Sequence, residues 1–325
     1  RRDFVWFCEG HPSRIVRWPE TVKRMVDSGL VRMQIGIESG SRRVIEAYRK
    51  QTTLEEIERV VEICRDAGLP QLCGNIIIGG ADESRETLEE TREYVDRLLS
   101  LAPGMLDVSL TIFMPFPGTA MTRSPESFGM RVRDGEALTT VGDYPVVETE
   151  NMALHEIATA RKDFWRGIFS SMRSLEKEGK VPHKRILSHY RLHHDYGISS
   201  IWHSAIYSKN PFLHRRYTLI ARSGAQRSAD IPAEAIAEWR PTRVFSLWNT
   251  LSWEEGFPRI FGFVLSPLEY EIILHCSGKY RLKEMVEAIL RRFPAVFPDR
   301  AEAEGTVLNT LGEFERRHWL VFVPF

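Results

Sequence analysis

The residues best suited to chemistry sit at the two ends of one stretch, Val31 to Lys50 (VRMQIGIESGSRRVIEAYRK). Its apolar run, Val31, Met33, Ile35 and Ile37, alternates with Arg32, Gln34 and Gly36, the period of a strand buried mainly on one face. The run ends in a carboxylate, Glu38, followed by Ser39, Gly40 and Ser41, where a helix begins. Strand ends of this kind are where α/β folds place ligands. Twelve residues beyond Glu38 the amphipathic run closes in Arg49 and Lys50. One element therefore offers an acceptor at one end and a cation at the other. The plain alternative has Glu38 capping the next helix and Lys50 in solvent.

Other chemistry-bearing residues are more scattered. Cys8, Cys64, Cys73 and Cys276 lie far apart with no CxxC pair, which suits a reducing, cytoplasmic compartment and excludes a disulfide framework or a self-contained zinc site. Cys8 and Cys73 fall on strands and read as small apolar residues. The stretch His183–Ser208 is rich in His and Tyr, and His189 and His193 stand four apart on a helix, a spacing that can bind metal. His155-Glu156 is not followed by the histidine a zinc-protease helix needs, so no metal ligand is assigned. These aromatics read as a helical layer against the strand ends, with a lid as its role.

The elements that must position these residues follow from periodicity. Strands are expected at Phe4–Cys8, Val31–Ile37, Cys73–Ile78 and Met105–Phe113, with helices at Pro19–Ser28, Ser41–Tyr48, Leu54–Ala67 and Ser84–Ser100. Such alternation means a parallel sheet, curved into part of a (β/α) barrel. Its strand ends, Glu38-Ser39-Gly40, Gly79 to Glu83 and Pro115 to Thr119, then converge on one mouth. A long helix is expected over Asn151–Lys177, and Ala221–Ala233 reads as an exposed linker. From Arg243 on, two strand-like runs (Arg243–Trp248, Arg259–Val264), three helices (Leu268–Cys276, Leu282–Phe293, Ala301–Arg317) and a terminal wing (His318–Phe325) make a small α+β winged-helix module. The organisation is thus 1–125 partial barrel, 126–242 helical segment and linker, and 243–325 terminal domain.

Composition sets limits on partners. The 325 residues carry 44 basic and 44 acidic side chains, so no global field draws the chain to nucleic acid or membrane. No apolar run approaches the ~20 residues of a membrane span. The last module holds ten Lys and Arg against eleven Asp and Glu, a poor balance for the DNA binding its winged-helix pattern otherwise suggests.

IGIESGS, NIIIGGADE and FMPFPGT occur in the order and separation that resembles the radical S-adenosylmethionine (SAM) enzymes, especially those with an N-terminal cobalamin-binding domain. The resemblance covers a quarter to a third of the chain. It implies that Glu38 contacts the SAM ribose, with Ser39 and Gly40 beside it, and that Lys50, with Arg49 as alternative, meets the methionine carboxylate. It further implies that Ile77, Ile78 and Gly79 line the adenine through backbone groups, and that Asn75 faces the ribose. Glu83 braces the turn, and Pro115, Pro117 and Gly118 form the third rim. A ribose diol needs a bidentate acceptor and a carboxylate needs a cation, so the residue types agree.

The family's CxxxCxxC motif, which binds a 4Fe–4S cluster through three thiolates, does not occur in this chain. The first visible strand matches the family's third, so the cluster ligands, and the domain for cobalamin, are expected upstream of a fragment inactive alone. A degenerate relative without the cluster is the alternative. The terminal module, LSPLEYEIILHCSGKYRLKEMVEAIL onward, resembles PqqD-like domains, which implies a ribosomally made precursor or leader peptide as partner, taken along a sheet edge. The implied whole is a SAM- and cluster-dependent C-methyltransferase acting on a peptide or natural product. A cyclase or methylthiotransferase on another substrate, or a cluster-free peptide scaffold, are the alternatives.

Overall fold

The protein is described by a computed structural model over residues 4–132, 145–207 and 211–325. It divides by packing into two compact units, residues 1–206 and 207–325. That division falls within the segment 126–242 drawn from the sequence.

In the first unit, β1 (Trp6–Glu9) leads through α1 (Pro12–Arg17) and α2 (Pro19–Asp27) to β2 (Leu30–Glu38). Then follow α3 (Arg42–Ala47), α4 (Leu54–Asp66), β3 (Gln71–Ile78), α5 (Arg85–Leu101) and β4 (Leu106–Ile112). The four strands are parallel, in the order β1-β2-β3-β4. An unreversed order is the winding of a (β/α) barrel; a doubly wound sheet would reverse it. Met33, Ile35, Ile37, Leu72, Ile76 and Ile78 are buried on one face, together with Ile57, Val60 and Val61 of α4 and Leu88, Val95 and Leu98 of α5. Arg32, Gln34, Gly36, Glu38, Asn75, Ile77 and Ser109 are half-buried on the other. Each strand thus turns an apolar side to the helices and a more polar side away. The expected elements are present with shifted ends; α1, begun by Pro12 and only six residues long, is an addition.

After β4 come α6 (Ala120–Arg123), the strand pair β5 (Met130–Val132) and β6 (Val147–Thr149), then α7 (Leu154–Lys177), α8 (His183–Tyr196) and α9 (Ile201–Tyr207). The one helical layer expected over His183–Ser208 is therefore two helices broken at Gly197, whose φ of 66° ends α8; Ser208 lies outside the described residues.

The expected lid is not where α8 lies. Arg185 donates to the Leu69 carbonyl at the entry to β3, and His189 Nε2 meets the Gly104 carbonyl, 2.7 Å away, before β4. Trp202 Nε1 donates to Leu106 O at 2.6 Å. These bonds hold α8 and α9 at the amino-terminal ends of the strands, opposite the Glu38 rim. Buried carbonyls at strand entries demand donors, and Arg185, His189 and Trp202 supply them.

In the second unit, α10 (Pro211–Arg222) precedes β7 (Arg240–Arg243), β8 (Leu251–Glu254), β9 (Phe257–Ile260) and β10 (Phe263–Val264). They are followed by α11 (Pro267–His275), α12 (Leu282–Arg292), α13 (Arg300–Arg316) and β11 (Leu320–Val323). β11 pairs antiparallel with β7, and β10-β9-β8 form a separate antiparallel sheet. Ile272, Met285, Val286, Ile289, Val307, Leu311 and Phe314 of the three helices are fully buried around Leu320 and Phe322. The strand expected over Arg243–Trp248 is a correction: it stops at Arg243 and Leu247–Asn249 forms a 3-10 turn. The second strand run is split by Phe261 and Gly262, both at positive φ, into a hairpin of β9 and β10. The linker expected over Ala221–Ala233 is also corrected. Gln226 pairs with Phe322, Ala225 and Ile231 are buried, and Ser228 N donates to Glu315 at 3.1 Å.

Candidate functional site

The carboxyl end of β2 is held in an uncommon backbone shape. Glu38 has φ 64°, in the left-handed region that costs a side-chain-bearing residue about 1 kcal/mol or more. The β2–β3 register shifts between Gly36 and Glu38, so Glu38 is re-aimed at the end of the strand. Its Oε1 forms an ion pair with Lys50 Nζ, which also lies 3.4 Å from the Gly36 carbonyl. A Cβ on Gly36 would overlap both members of this pair, so the glycine leaves the room they occupy. Arg49, also at positive φ (52°), is exposed beside them.

Ser39 and Gly40 are turned to another task. Ser39 Oγ and Gly40 N both bond to Thr91 Oγ1 of α5, at 2.8 and 3.0 Å. A Cβ on Gly40 would come within 2.7 Å of the Thr91 Cα. These two residues are buried and lock the rim onto α5, so they position Glu38 from behind.

The second rim follows β3. Gly79 has φ 82°, and its N–H donates to Glu83 Oε2 at 2.5 Å. Glu83 is buried, its N–H is returned to the Gly80 carbonyl at 3.2 Å, and its own carbonyl accepts Thr149 Oγ1 at 3.0 Å. Burial pushes the Glu83 carboxyl up to about 8, against the two backbone N–H groups that favour its charge. It therefore braces the turn as a neutral acid at pH 7. Asn75 lies opposite Gly36 on one side and Ser109 on the other, half-buried on the polar face of the sheet. Ile77 shares that face, while the Ile78 side chain is buried on the helix side and its carbonyl accepts Phe113 N at 2.8 Å.

Tyr48 joins these rims and carries no signal in the sequence beyond its place at the end of α3. Its hydroxyl lies over Gly80, where a Cβ would displace it, and Phe113 Cδ2 comes within 3.4 Å of the same point. Burial, with Glu83 and Glu38 nearby, holds the phenol well above its ordinary range. Its oxygen is buried with no hydrogen-bond partner among the described residues. In the third rim Pro115 is buried, and Pro117 and Gly118 (φ 83°) are exposed in the turn before α6. The structure thus brings Glu38, Lys50, Tyr48, Gly79, Gly80, Glu83 and Phe113 together. A separate cleft of about 430 Å³ between α5 and α7 is lined by Arg85, Arg92 and Glu156 and includes none of these residues.

Of the two histidines at metal-binding spacing, His189 is committed to other partners. His189 is fully enclosed, accepts Ser200 Oγ on Nδ1 at 2.6 Å, and uses Nε2 on Gly104 O. Desolvation lowers it to about 4, so it is a neutral structural imidazole. None of the described helices is long and apolar enough to cross a membrane.

Comparison with known proteins places these observations. Residues 6–95 match the model of the Radical SAM superfamily. The bacteriochlorophyllide d C-8(2)-methyltransferase of Chlorobaculum tepidum is 31% identical over 114 residues, covering 34% of this chain and 24% of that protein. An uncharacterized methyltransferase of Pyrococcus horikoshii is 34% identical over 120 residues, 37% of this chain and 24% of its own. The anaerobic magnesium-protoporphyrin IX monomethyl ester cyclase of Cereibacter sphaeroides is 29% identical over 28% of this chain and 17% of its own length. The chain therefore spans about a quarter of the length of the curated relatives it matches, or less. Among solved structures, the radical SAM methyltransferase TsrM of Kitasatospora setae, with cobalamin and a [4Fe-4S] cluster bound, gives a TM-score of 0.38 at 16% identity, over 66% of this chain and 44% of that one. The cobalamin-dependent radical enzyme OxsB gives 0.38 at 12% identity, over 97% and 46%. Both likenesses are too distant to bear on fold or ligand. Residues 6–95 are thus similar to the Radical SAM superfamily, and about a third of the chain is similar to methyltransferases and cyclases.

Proposed function

We propose that the Glu38 rim binds SAM as part of a radical methyltransferase. One observation carries the reading: within the matched domain, a carboxylate and an ammonium are paired over a side-chain-free Gly36, next to the glycine turn that Tyr48 covers. The residue types fit the ligand. Glu38 accepts from the ribose hydroxyls, Lys50 takes the methionine carboxylate, and the Ile77–Gly79 backbone borders the adenine. The Gly79 N–H is already spent on Glu83, so adenine is recognised here by the apolar Ile77 surface and by carbonyls. In such an enzyme a 4Fe–4S cluster would supply the electron for cleaving SAM and cobalamin would carry the methyl group, while Glu38, Lys50 and the Ile77–Gly79 backbone would only hold and orient SAM.

The chain's own cysteines do not fit that cluster. Cys64, Cys73 and Cys276 are buried, Cys8 is half-buried, and burial pushes all four thiols upward, away from thiolate. Cluster ligands and cobalamin contacts come, on this reading, from sequence outside these residues, and no step is assigned to the cysteines present. Equilibrium dialysis of SAM against the 325-residue chain tests the assignment. Saturable binding that adenosine competes for is expected, and absence of binding at millimolar SAM rejects it.

For the second unit we propose peptide recognition at β8. It is the longer of the two edge strands of the β10-β9-β8 sheet, and Ser252, Trp253 and Glu254 are exposed along it. An extended peptide can add there through main-chain hydrogen bonds. Amide exchange in 251–254 should slow when a precursor peptide is added; exchange there unchanged while the peptide binds elsewhere refutes this.

A further inference from the structure

At the opposite end of the sheet from the Glu38 rim, three histidines meet. The ligand nitrogens of His193, His194 and His203 all lie within 4.8 Å of one another, with His193 exposed and the other two half-buried. The His193 and His203 rings stack at 4.0 Å between centroids, and His194 stands edge-on to His193 at 5.0 Å. His193 and His194 come from the last turn of α8, and His203 from the first turn of α9.

The spacing between these helices is fixed by buried groups. Ser200 Oγ bridges His189 Nδ1 (2.6 Å) and the His203 N–H (3.2 Å). Both oxygens of the fully buried Asp107 accept Ile201 N, at 3.0 and 3.1 Å, which anchors the start of α9 to β4. His189 thus sets the helical turn carrying His193, and Ser200 the turn carrying His203. These bonds fix the backbone from which the three rings project. One side of the cluster opens on a groove of about 330 Å³, lined by Arg32, Cys73, Asp107 and Ser109 as well as His193 and His203.

We propose that His193, His194 and His203 bind a divalent transition-metal ion of the zinc class through three imidazole nitrogens, with the fourth position open to the groove. Imidazole favours zinc, nickel and copper, and three histidines with an open position are an established tetrahedral set. Such an ion needs ligand nitrogens about 3.4 Å apart at the usual metal–nitrogen length of about 2.0–2.1 Å. Reaching that spacing would require the exposed His193 ring to turn from its present stack on His203. The ion would clamp α8 to α9 at the strand entries. The cysteines are not part of this set.

Zinc alone, titrated into the untagged 325-residue chain by calorimetry at pH 7.5, is the test. One zinc per chain is expected, with affinity falling at least about tenfold in His193→Ala and in His203→Ala. At a hundredfold excess over the wild-type Kd, zinc should raise Tm by about 5–10 °C in the wild type and by about half that or less in the variants. Cobalt should give a tetrahedral visible spectrum without the ultraviolet thiolate charge-transfer band. His193 is exposed, so His193→Ala should keep the metal-free Tm and helicity, and it decides the matter if His203→Ala fails to fold. No zinc binding, equal affinity in His193→Ala, or a thiolate-type cobalt spectrum each overturn the proposal.

Discussion

Glu38→Gln is expected to weaken SAM and adenosine binding together, each by about 10- to 100-fold, while Lys50→Met weakens SAM alone. The size follows from hydrogen bonds to a charged group, about 1.5–3 kcal/mol, converted at about 1.4 kcal/mol per factor of ten. The two ligands separate the roles, because adenosine has the ribose diol but no carboxylate. In the ligand-free chain Glu38 and Lys50 are partnered with each other, so binding must part them. The pair is neither fully buried nor fully exposed, so that cost is modest and falls with salt. Lys50→Met removes it, and adenosine should then bind Glu38 as well as or better than in the wild type. Arg49→Ala should change neither ligand, because its exposed side chain leaves from a left-handed turn outside the pair. Calorimetry with both ligands on all three variants checks the scheme. Equal affinity of Glu38→Gln and wild type for adenosine removes Glu38 from the ribose site. Loss of SAM binding in Arg49→Ala, with Lys50→Met unchanged, moves the carboxylate contact to Arg49.

Why the sequence showed part of this site and hid the rest can be traced to particular residues. Strands and helices were legible because their signal is local: Leu54, Ile57, Val60, Val61 and Cys64 mark one side of α4 whatever it packs on. The strand ends were legible for the same reason, since an acid or glycine after an apolar run is punctuation. What Ser39 and Gly40 do was not legible, because their partner Thr91 lies some fifty residues away. Nor was the end of the sheet that α8 covers. That depends on Arg185 and His189 reaching the Leu69 and Gly104 carbonyls, bonds with no periodic trace. The i, i+4 spacing of His189 and His193 could not decide for or against metal, because helical spacing says nothing about which way a face is turned. His189 points into the protein and His193 out, and the partner that completes the cluster, His203, sits on another helix. Tyr48 is not legible either, because nothing in an aromatic at a helix end tells that its hydroxyl sits over Gly80.

The pH dependence of stability should expose Glu83. Its carboxyl is raised from 4.5 to about 8 by burial, whereas in the unfolded chain it ionises near its ordinary value. Between those two values the folded state holds a proton that the unfolded state has lost. Unfolding then releases a proton, so stability contributed by neutral Glu83 is complete below about pH 4.5, declines as pH rises, and is lost by about pH 8. The slope is at most about 1.4 kcal/mol per pH unit, or about 3–5 °C in Tm. Glu83→Gln keeps an acceptor for the Gly79 N–H and cannot ionise, so its own curve lacks this slope. Its amide N–H₂ occupies a place where Oε1 now has no partner, a cost of about 1–3 kcal/mol that is the same at every pH. The variant should therefore start below the wild type at pH 5 and gain on it steadily toward pH 8. Asp107, raised to about 6 by burial, bends both curves alike and drops out of the difference. Thermal unfolding of the two proteins at half-unit steps from pH 5 to pH 8 measures this. Parallel curves would mean that Glu83 is already ionised when folded, with its charge held by the Gly79 and Gly80 amides; the turn beside the proposed adenine site would then carry a negative charge where the present geometry gives it a neutral acid.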